Sequence, residues 1–340
     1  MHDRILDGLR SVANVWLVAS LRDDRINFPS ATDARVFIPD LHLLSKKKAG
    51  DYSYSTNEPT LLATVLKKLV ALRDEARGRG QTFVVYQLGD YLDLWREAPT
   101  SMDEPQTIER ILRDQGPIVE AFTKLKFRLV LGNHDYELHR AFPAWDRRYY
   151  LTMEGQGSPR GVVVHGDVFD WVEDLPDAIN RWAVYMLGPY AAASDYDLGD
   201  LKEMMRRTHS HRAYKRWIKP PAHLGTVEKR DTDSPIPDRW NVRQEGVGGA
   251  DTGFLAKAHQ LCGEVNTAYQ QDLRFVVCGH THQAKIAVRN VRGGGLFTLM
   301  DCGGWIGTCS DGTGRLKMGN AQIGILHRNE ARIYQLGPLT

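Results

Sequence analysis

The sequence predicts an α/β protein with a central sheet, a second sheet packed on it and helices at the sides. Three observations support this prediction. Five short apolar runs bounded by turn residues are typical of strands that are buried on both faces. Long amphipathic segments lie between several of these runs, and strands that alternate with helices indicate an α/β sheet. Short strands with glycine-containing turns return near the C-terminus and indicate the second sheet.

The predicted elements follow one another along the chain. Residues 1–33 are predicted as an N-terminal helical leader, because Ile5, Leu9, Val12 and Leu17 share one helical stripe. The five apolar runs lie at residues 35–38, 82–88, 127–131, 161–164 and 275–278. Helices are predicted over residues 61–77 and 107–125, the second with a break at Pro117. The C-terminal strands of the second sheet are predicted over residues 285–291, 295–301, 322–328 and 330–336.

One large domain with an insertion is the predicted organisation of the 340 residues. The domain is predicted to cover residues 34–340. The stretch at about 171–270 has no clear strand, and it contains a long loop rich in Pro, Gly and charge. We interpret this stretch as a mainly helical cap over the strand ends, with helices around 177–189, 198–218 and 254–270.

Composition excludes several classes of protein. The net charge of +2 argues against a strongly basic nucleic-acid binder, so a nucleic-acid partner is not expected. Four cysteines without a C-x-x-C pair are typical of free thiols in a reducing compartment. The apolar run near the N-terminus is too short to span a bilayer. We therefore expect a soluble cytoplasmic protein; peripheral membrane contact and the oligomeric state stay open.

Polar side chains follow all five apolar runs. The carboxyl ends of strands in an open α/β sheet meet at one edge, where ligands usually bind. The side chains that the sequence places there are Asp40, His42, Asp90, Asp93, Asn133, His134, Asp135, His165, Asp167, His280 and His282. We expect these groups to form one site.

Seven of these residues are candidate metal ligands, namely Asp40, His42, Asp90, Asn133, His165, His280 and His282. Mixed nitrogen and oxygen ligands without a thiolate favour Mn, Fe, Zn or Ni. One tetrahedral site needs about four ligands, so seven predict two ions that share a carboxylate. Two such ions about 3.5–4 Å apart are a usual device for hydrolysing phosphate esters. In an extended D-x-H or H-x-H segment, both outer side chains would face the ions.

The ordered motifs resemble those of the calcineurin-like metallophosphoesterase family. They read D-x-H at 40–42, G-D-x-x-D at 89–93, G-N-H-D at 132–135, H-G-D at 165–167 and G-H-T-H at 279–282. The resemblance covers about residues 34–170 and 272–305. It implies a two-sheet α/β sandwich and hydrolysis of a phosphomonoester, phosphodiester or pyrophosphate by a metal-bridging hydroxide.

The resemblance also implies roles for individual residues. Asp90 would bridge two ions, one held by Asp40, His42 and His282 and the other by Asn133, His165 and His280. His134 would contact the phosphate and protonate the leaving oxygen, and Asp135 would orient that imidazole. For Asp93, support of the loop and contact with substrate are both left open. Asp167 is interpreted as a turn or supporting residue.

The substrate is less closely defined than the reaction. Three segments, at residues 40–43, 89–95 and 301–305, resemble the branch that contains UDP-2,3-diacylglucosamine pyrophosphohydrolases. The best-known members of that branch have Arg where this chain has His134. A nucleotide or sugar-lipid diphosphate is therefore an alternative within the class of small phosphorylated substrates. A Ser/Thr protein phosphatase, a nuclease and a catalytically silent metal-binding scaffold are further alternatives.

The predicted cap contains a basic stretch at residues 206–219, in which Met, Tyr and Trp are interleaved. A solvated helix face would explain this composition. The functional interpretation is that some of these cations bind substrate phosphates, since guanidinium groups suit bidentate phosphate contact. Arg212 and Arg216 are the candidate substrate-binding residues.

Overall fold

The computed structural model describes most of the chain outside the predicted cap. The described residues are 1–23, 34–46, 59–81, 83–97, 104–135, 138, 147–148, 150–154, 159–169, 251–270, 272–282, 284–291, 295–305 and 321–339. The predicted helices around 177–189 and 198–218, together with Arg212 and Arg216, lie outside these residues. The division into a domain and a cap therefore stays a prediction.

Helices and strands alternate through the first half of the described chain, as predicted. The helices are α1 (His2–Arg10), α2 (Pro59–Gly78), α3 (Leu94–Glu97), α4 (Glu104–Asp114), α5 (Gly116–Leu125) and α6 (Asp251–Tyr269). The strands are β1 (Asn14–Arg22), β2 (Ala34–Ile38), β3 (Phe83–Gln87), β4 (Arg128–Val130), β5 (Arg147–Arg148), β6 (Tyr150–Glu154), β7 (Pro159–Val164), β8 (Phe275–Cys278), β9 (Lys285–Val291), β10 (Gly295–Asp301), β11 (Gln322–His327) and β12 (Glu330–Gly337). The predicted break is present two residues before Pro117: α4 and α5 are separated at Gln115, and Pro117 lies in the first turn of α5.

The strands form two sheets. The first sheet has seven strands in the order β1-β12-β11-β2-β3-β4-β5, and the second has five in the order β6-β7-β8-β10-β9. Strands β2, β3 and β4 are parallel neighbours in the first sheet, and β7, β8 and β10 are parallel neighbours in the second. The five apolar runs thus divide between two sheets, three in one and two in the other.

A hydrophobic core lies between the two sheets. Alternate residues of most strands supply it, because successive side chains of a strand point to opposite faces. Phe37 and Tyr86 from the first sheet stack at 5.3 Å between ring centroids, and Phe275 and Val277 belong to the same core from the second sheet. The predicted sandwich of two sheets is confirmed.

Helices cover the outer faces of both sheets. Val36 and Ile38, which alternate with Phe37, pack in the core that α1, α2, α4 and α5 complete on the first sheet. Val276 and Cys278 alternate with Phe275 and Val277, and they pack with residues of α6 on the second sheet. The result is four layers in the order helix, sheet, sheet, helix.

The prediction of a helical leader is wrong beyond residue 10. The helix α1 ends at Arg10, and the chain then forms β1, which pairs antiparallel with β12 from Asn14↔Gly337 to Arg22↔Glu330. The stripe that suggested a helix extends over Val12 and Leu17, but V-W-L-V is also a run of good strand formers. Pairing with β12, more than 300 residues away, makes this segment a strand and not a helix. A local pattern carries no information on such distant pairing.

The prediction for the C-terminal strands needs a second correction. Strands β9 and β10 belong to the second sheet, as expected, but β11 and β12 join the first. Strand β11 pairs antiparallel with β2, from Gly324↔Phe37 to His327↔Ala34. Both pairs of strands have similar apolar patterns, so their patterns could not show which sheet each would join.

The helix α1 is fastened to β12 through a buried histidine. The His2 Nε2 atom lies 2.9 Å from the Tyr334 hydroxyl, and its Nδ1 atom lies 3.1 Å from an Asp3 carboxylate oxygen. The Arg332 guanidinium lies 3.4 Å from Nδ1, and Glu330 pairs with that guanidinium at 2.8 Å. Burial lowers the pKa of His2 below its ordinary value of 6.5, and Arg332 adds to this effect against the opposing influence of Asp3.

The stability of the fold is therefore expected to depend on pH through His2. As the pH falls below about 6.5, the unfolded chain binds a proton at His2 before the folded protein does, so the free energy of unfolding decreases. Urea unfolding of the wild type and of His2→Gln at pH 7.5 and pH 5.5 measures this contribution. The stability advantage of the wild type over the variant should be smaller at pH 5.5. An unchanged or larger advantage at pH 5.5 would contradict the interpretation.

Two further predictions concern the whole chain. Cys262, Cys278 and Cys302 are buried free thiols, as expected, and Cys309 lies outside the described residues. Within the described ranges, no helix combines the length and the apolar character needed to cross a membrane.

Candidate metal centre

The seven candidate ligands meet at one edge of the sandwich, where strands of both sheets end. Every one of them is buried, with at most 9% of its surface exposed. Asp40 and His42 follow β2, Asp90 follows β3, Asn133 follows β4, His165 follows β7, and His280 and His282 follow β8. Placing so many ionisable groups out of water is costly unless they pair with one another or with a cation.

The backbone at this edge is not extended. His42, Asp90, His280 and His282 have φ values of 46°, 49°, 72° and 57°, in the left-handed region that side chains other than glycine rarely adopt. The expected reason for the D-x-H and H-x-H spacing, an extended segment with both outer side chains on one face, is therefore wrong. Each such conformation costs about 1–3 kcal/mol and persists where the surroundings impose it, often at functional sites.

One half of the centre contains Asp40, His42 and His282. The His282 Nε2 atom lies 3.1 Å from an Asp40 carboxylate oxygen and 3.3 Å from His42 Nε2. The other half contains Asn133, His165 and His280. The His165 Nε2 atom lies 3.0 Å from Asn133 Oδ1 and 3.1 Å from His280 Nδ1.

Asp90 lies between the two halves. Its Oδ2 atom is 3.3 Å from His42 Nε2 and 3.3 Å from His165 Nε2, and its Oδ1 atom accepts the backbone N–H of His134 at 2.9 Å. One carboxylate oxygen thus faces an imidazole nitrogen on each side. Among the residues that the structure describes, three groups of side chains have ligand atoms close enough to hold a metal ion: Asp40, His42 and His282; His42, Asp90 and His134; and Asp40, Asp90 and His165.

The hydrogen bonds of His42 and His165 show why this arrangement suits a cation. His42 Nδ1 lies 3.0 Å from an Asp93 oxygen, and His165 Nδ1 lies 2.9 Å from the Leu88 carbonyl oxygen. Both Nδ1 atoms must therefore donate, and in a neutral ring the Nε2 atom then presents a lone pair. Two such lone pairs face the same carboxylate oxygen of Asp90. A metal ion or an added proton removes the repulsion, and the residues fit divalent ions.

The charge states of the buried carboxylates and imidazoles also favour binding of a cation. Burial opposes the charged form of Asp90, but His165, His134 and His42 outweigh it and hold its pKa well below the ordinary value. Burial also opposes protonation of His165, yet the Asp90 and Asp40 carboxylates raise the pKa of that imidazole well above 6.5. The carboxylates are thus held as anions, in the form that binds a metal.

Asp93 joins His134 to the metal-ligand candidates. Its Oδ1 atom lies 2.9 Å from His134 Nδ1, and its Oδ2 atom lies 3.0 Å from His42 Nδ1. Burial raises the pKa of Asp93, but His134 and His42 outweigh burial and lower it to about 2. An ionised carboxylate between two imidazoles fixes the orientation of both rings.

Asp135 does not have the predicted contact with the His134 imidazole. Its carboxylate accepts the backbone N–H groups of Gly132 at 2.8 Å, Tyr91 at 2.7 Å and Leu92 at 3.3 Å. Burial and the Asp90 charge raise the pKa of Asp135 to about 8 despite these hydrogen bonds. Asp135 therefore ties the loop after β4 to the loop after β3, and Asp93 makes the contact with the His134 imidazole that the resemblance implied for Asp135. The spacing of G-D-x-x-D was the only signal for Asp93.

The replacement Asp93→Asn should weaken the orientation of the His42 ring, a candidate metal ligand, and the orientation of the His134 ring. An amide has one acceptor oxygen, so its N–H₂ group would face an imidazole N–H at either His42 or His134. We expect about a 10–100-fold loss in turnover, together with weaker metal binding, the range typical of residues that orient metal ligands. Titration with Mn²⁺ and steady-state kinetics measure the two effects. Wild-type Mn²⁺ affinity together with wild-type turnover would show that Asp93 does not orient His42 and His134.

Glycines allow the loops to approach one another. Gly89 has φ of 96°, and a Cβ atom at this position would lie 2.6 Å from His165 Nδ1. At Gly279, a Cβ atom would overlap the Asp40 carboxylate. A side chain at either position would push a candidate ligand away, which explains why glycine begins the G-D-x-x-D and G-H-T-H motifs.

Comparison with known protein families places this fold in one of them. A family model described as calcineurin-like phosphoesterase matches residues 36–284. No curated protein is significantly similar to the chain in sequence. Among solved structures, a 5'-nucleotidase from Candida albicans is 14% identical, with a TM-score of 0.30 over 83% of this chain and 47% of that chain. The chain thus spans about half the length of that nucleotidase. The family match includes every candidate ligand, and the chain belongs to the calcineurin-like phosphoesterases, a family of metal-dependent phosphoric ester hydrolases.

Proposed function

We propose that this chain hydrolyses phosphoric esters at a centre of two divalent metal ions that share Asp90. The observation that supports the proposal most directly is the position of the Asp90 carboxylate. Its Oδ2 atom is 3.3 Å from an imidazole nitrogen of each half of the site. One oxygen that faces two groups of ligands is the arrangement that a bridging ligand needs.

The ligands divide between the two halves. Asp40, His42 and His282 would hold one ion, and Asn133, His165 and His280 would hold the other. Bound divalent ions would supply Lewis-acid activation of the phosphoryl group and of the attacking water. Mn, Fe, Zn and Ni all suit these nitrogen and oxygen ligands, and we propose the metal from this set.

The residues of the chain orient the ligands and supply a proton. The Nδ1 atoms of His42 and His165 donate to Asp93 and to the Leu88 carbonyl oxygen. In the neutral ring each Nε2 atom therefore has a lone pair that could bind an ion. Asp93 also holds His134 through Nδ1. We propose that the opposite nitrogen of that ring, Nε2, donates the proton to the leaving oxygen. The negative charge of Asp93 stabilises the imidazolium form that donates it.

The substrate class is a small phosphorylated molecule. Phosphomonoesters, phosphodiesters and pyrophosphates all present the phosphoryl oxygens that the two ions would bind. A nucleotide or sugar-lipid diphosphate is a second candidate, which the resemblance of residues 301–305 favours. Substrate contact by Arg212 and Arg216 and a cytoplasmic location, with or without peripheral membrane contact, are parts of the same proposal.

A metal-reconstituted activity screen tests the proposal. The protein is freed of metal with a chelator, reloaded with Mn²⁺, and assayed with a phosphomonoester, a phosphodiester and a nucleotide-sugar diphosphate. We expect hydrolysis that depends on the added metal and a bound ratio of two Mn²⁺ per chain. Metal binding without turnover on any substrate would favour a silent scaffold. Hydrolysis that survives complete removal of metal would overturn the two-metal proposal.

A further inference from the structure

Segment 301–305, which begins at the last residue of β10, contacts the metal-ligand loops of both sheets. Its Trp305 backbone N–H donates to the Asp40 carbonyl oxygen at 2.8 Å, and Gly304 forms a parallel bridge with Asp40. Cys302 donates its backbone N–H to the Cys278 carbonyl oxygen at 2.7 Å, at the end of β8. The segment therefore lies behind Asp40 on one side and behind the loop with His280 and His282 on the other.

A single buried carboxylate connects segment 301–305 to that second loop. The Asp301 side chain is fully buried at the end of β10. Its Oδ2 atom accepts a short hydrogen bond from the Thr281 hydroxyl, and its Oδ1 atom accepts the Gly303 backbone N–H at 3.1 Å. One oxygen thus holds the ligand loop, and the other holds the turn of the segment behind it.

Thr281 lies between two candidate ligands whose backbone is strained. His280 and His282, its two neighbours, have φ values of 72° and 57°. The Thr281 backbone N–H donates to the Gly279 carbonyl oxygen at 2.9 Å, which closes a tight turn. A left-handed conformation on both sides needs an external constraint to persist. The hydroxyl bond to Asp301 supplies one, because it fixes the residue to which both histidines are attached.

The first sheet fixes the other side of segment 301–305. The Gln322 Oε1 atom of β11 accepts the Gly304 backbone N–H at 3.2 Å. Gly303 has φ of 77°, and a Cβ atom at that position would overlap the Gln322 side chain. The segment is consequently clamped between β11 and the loop that follows β8, and its position determines where Asp301 meets Thr281.

We propose that Asp301 is a positioning residue that, through the Thr281 hydroxyl, holds His280 and His282 in the geometry that binds the two ions. The proposal rests on the proposed function, since these histidines are assigned to different ions of one centre. Loss of the hydroxyl bond lets the turn relax and moves both imidazoles together. The expected consequence is weaker binding of both metal ions, with turnover restored in part by excess metal.

The pair Thr281→Val and Thr281→Ser tests the proposal. Valine keeps the branched shape and loses the hydroxyl, whereas serine keeps the hydroxyl and loses the methyl group. Metal-free protein is titrated with Mn²⁺, and the concentration of unbound Mn²⁺ is measured at each addition. This gives the affinity for Mn²⁺ without an activity assay. We expect Thr281→Val to weaken Mn²⁺ binding by about tenfold or more, the effect of removing a group that orients metal ligands. Thr281→Ser should remain close to the wild type.

Two other variants complete the test. Asp301→Asn leaves one acceptor oxygen for two donors, so it should weaken Mn²⁺ binding in the same direction as Thr281→Val. Thr298→Val removes a buried hydroxyl from the same strand β10, away from the ligand loops, and should keep wild-type affinity. Kinetics at saturating Mn²⁺ should show a smaller loss in kcat than kinetics at limiting Mn²⁺.

The outcomes separate this proposal from the proposed function. If the wild type binds two Mn²⁺ and hydrolyses phosphoric esters but Thr281→Val has the same affinity, the positioning role is wrong and the function stands. Equal weakening in Thr281→Val and Thr281→Ser would also reject it, since the loss of affinity would then not depend on the hydroxyl group. If the wild type itself neither binds Mn²⁺ nor hydrolyses these esters, the proposed function fails.

Discussion

Asp90→Asn is expected to remove both tight metal binding and turnover. The Asp90 carboxylate faces an imidazole nitrogen of each half of the site at 3.3 Å, so the amide loses the negative charge that both ions would share. The replacement can still accept the His134 backbone N–H through its remaining oxygen, which preserves the local fold. We expect turnover to fall by at least about 10²–10³-fold, as when one group that stabilises developing charge is removed. Bound metal should fall below two ions per chain.

Metal content and single-turnover kinetics of the purified variant measure this prediction. Asp74→Asn is a suitable control, because Asp74 is an exposed carboxylate that pairs with Arg73 on α2. It makes the same chemical change away from the site and should leave metal content and turnover unchanged. Retained turnover in Asp90→Asn without bound metal would falsify the two-metal mechanism.

His134→Ala should lose turnover and keep the metal. In our proposal His134 donates a proton and is not a ligand, so both halves of the site retain their ligands when it is removed. Loss of a general acid costs about 10²–10⁴-fold in rate. The loss should be largest for an alkyl phosphate ester, whose leaving alkoxide needs the proton. It should be smallest for a p-nitrophenyl ester, whose leaving group is stable as an anion.

Comparison of the two esters with the same Mn²⁺-loaded variant tests this prediction. His2→Gln replaces another buried histidine, which lies in α1 and contacts Tyr334, and it serves as the matched control. An equal loss for both esters would show that His134 does not protonate the leaving oxygen. Loss of Mn²⁺ in His134→Ala would instead make it a ligand, which the grouping of His42, Asp90 and His134 would then explain.

Much of the fold could be predicted because its strands have strong local patterns. The runs that became β2, β3, β7 and β8 are short, apolar and bounded by turn residues, as buried strands are. Strand β1 was missed because its residues also fit a helical stripe, and its partner β12 lies at the other end of the chain. The placement of β11 in the first sheet depends on pairing with β2, which no pattern within β11 itself encodes.

The candidate site was predicted to a similar extent. The seven ligand candidates could be chosen because polar side chains follow several strands, and strands of one sandwich end at a common edge. The roles of Asp93 and Asp135 were not separable in this way, since both are acidic residues close to His134 in the motifs. The loop after β3 turns Asp93 toward two imidazoles, whereas backbone N–H groups surround Asp135. The direction of a side chain follows from the backbone of its loop, which spacing does not specify.

The α/β fold class, the family resemblance and the chemical types of the ligands could be read from the residues alone, because these depend on local patterns and on residue identity. The acid that holds His134 and the contact between Asp301 and Thr281 became evident from the packed structure alone. Other contacts of the site join residues from both sheets, as in the hydrogen bond from the His280 backbone N–H to Asp40 at 2.9 Å. Such contacts form only after the sheets pack together, since packing sets the distances between loops that are far apart in the chain.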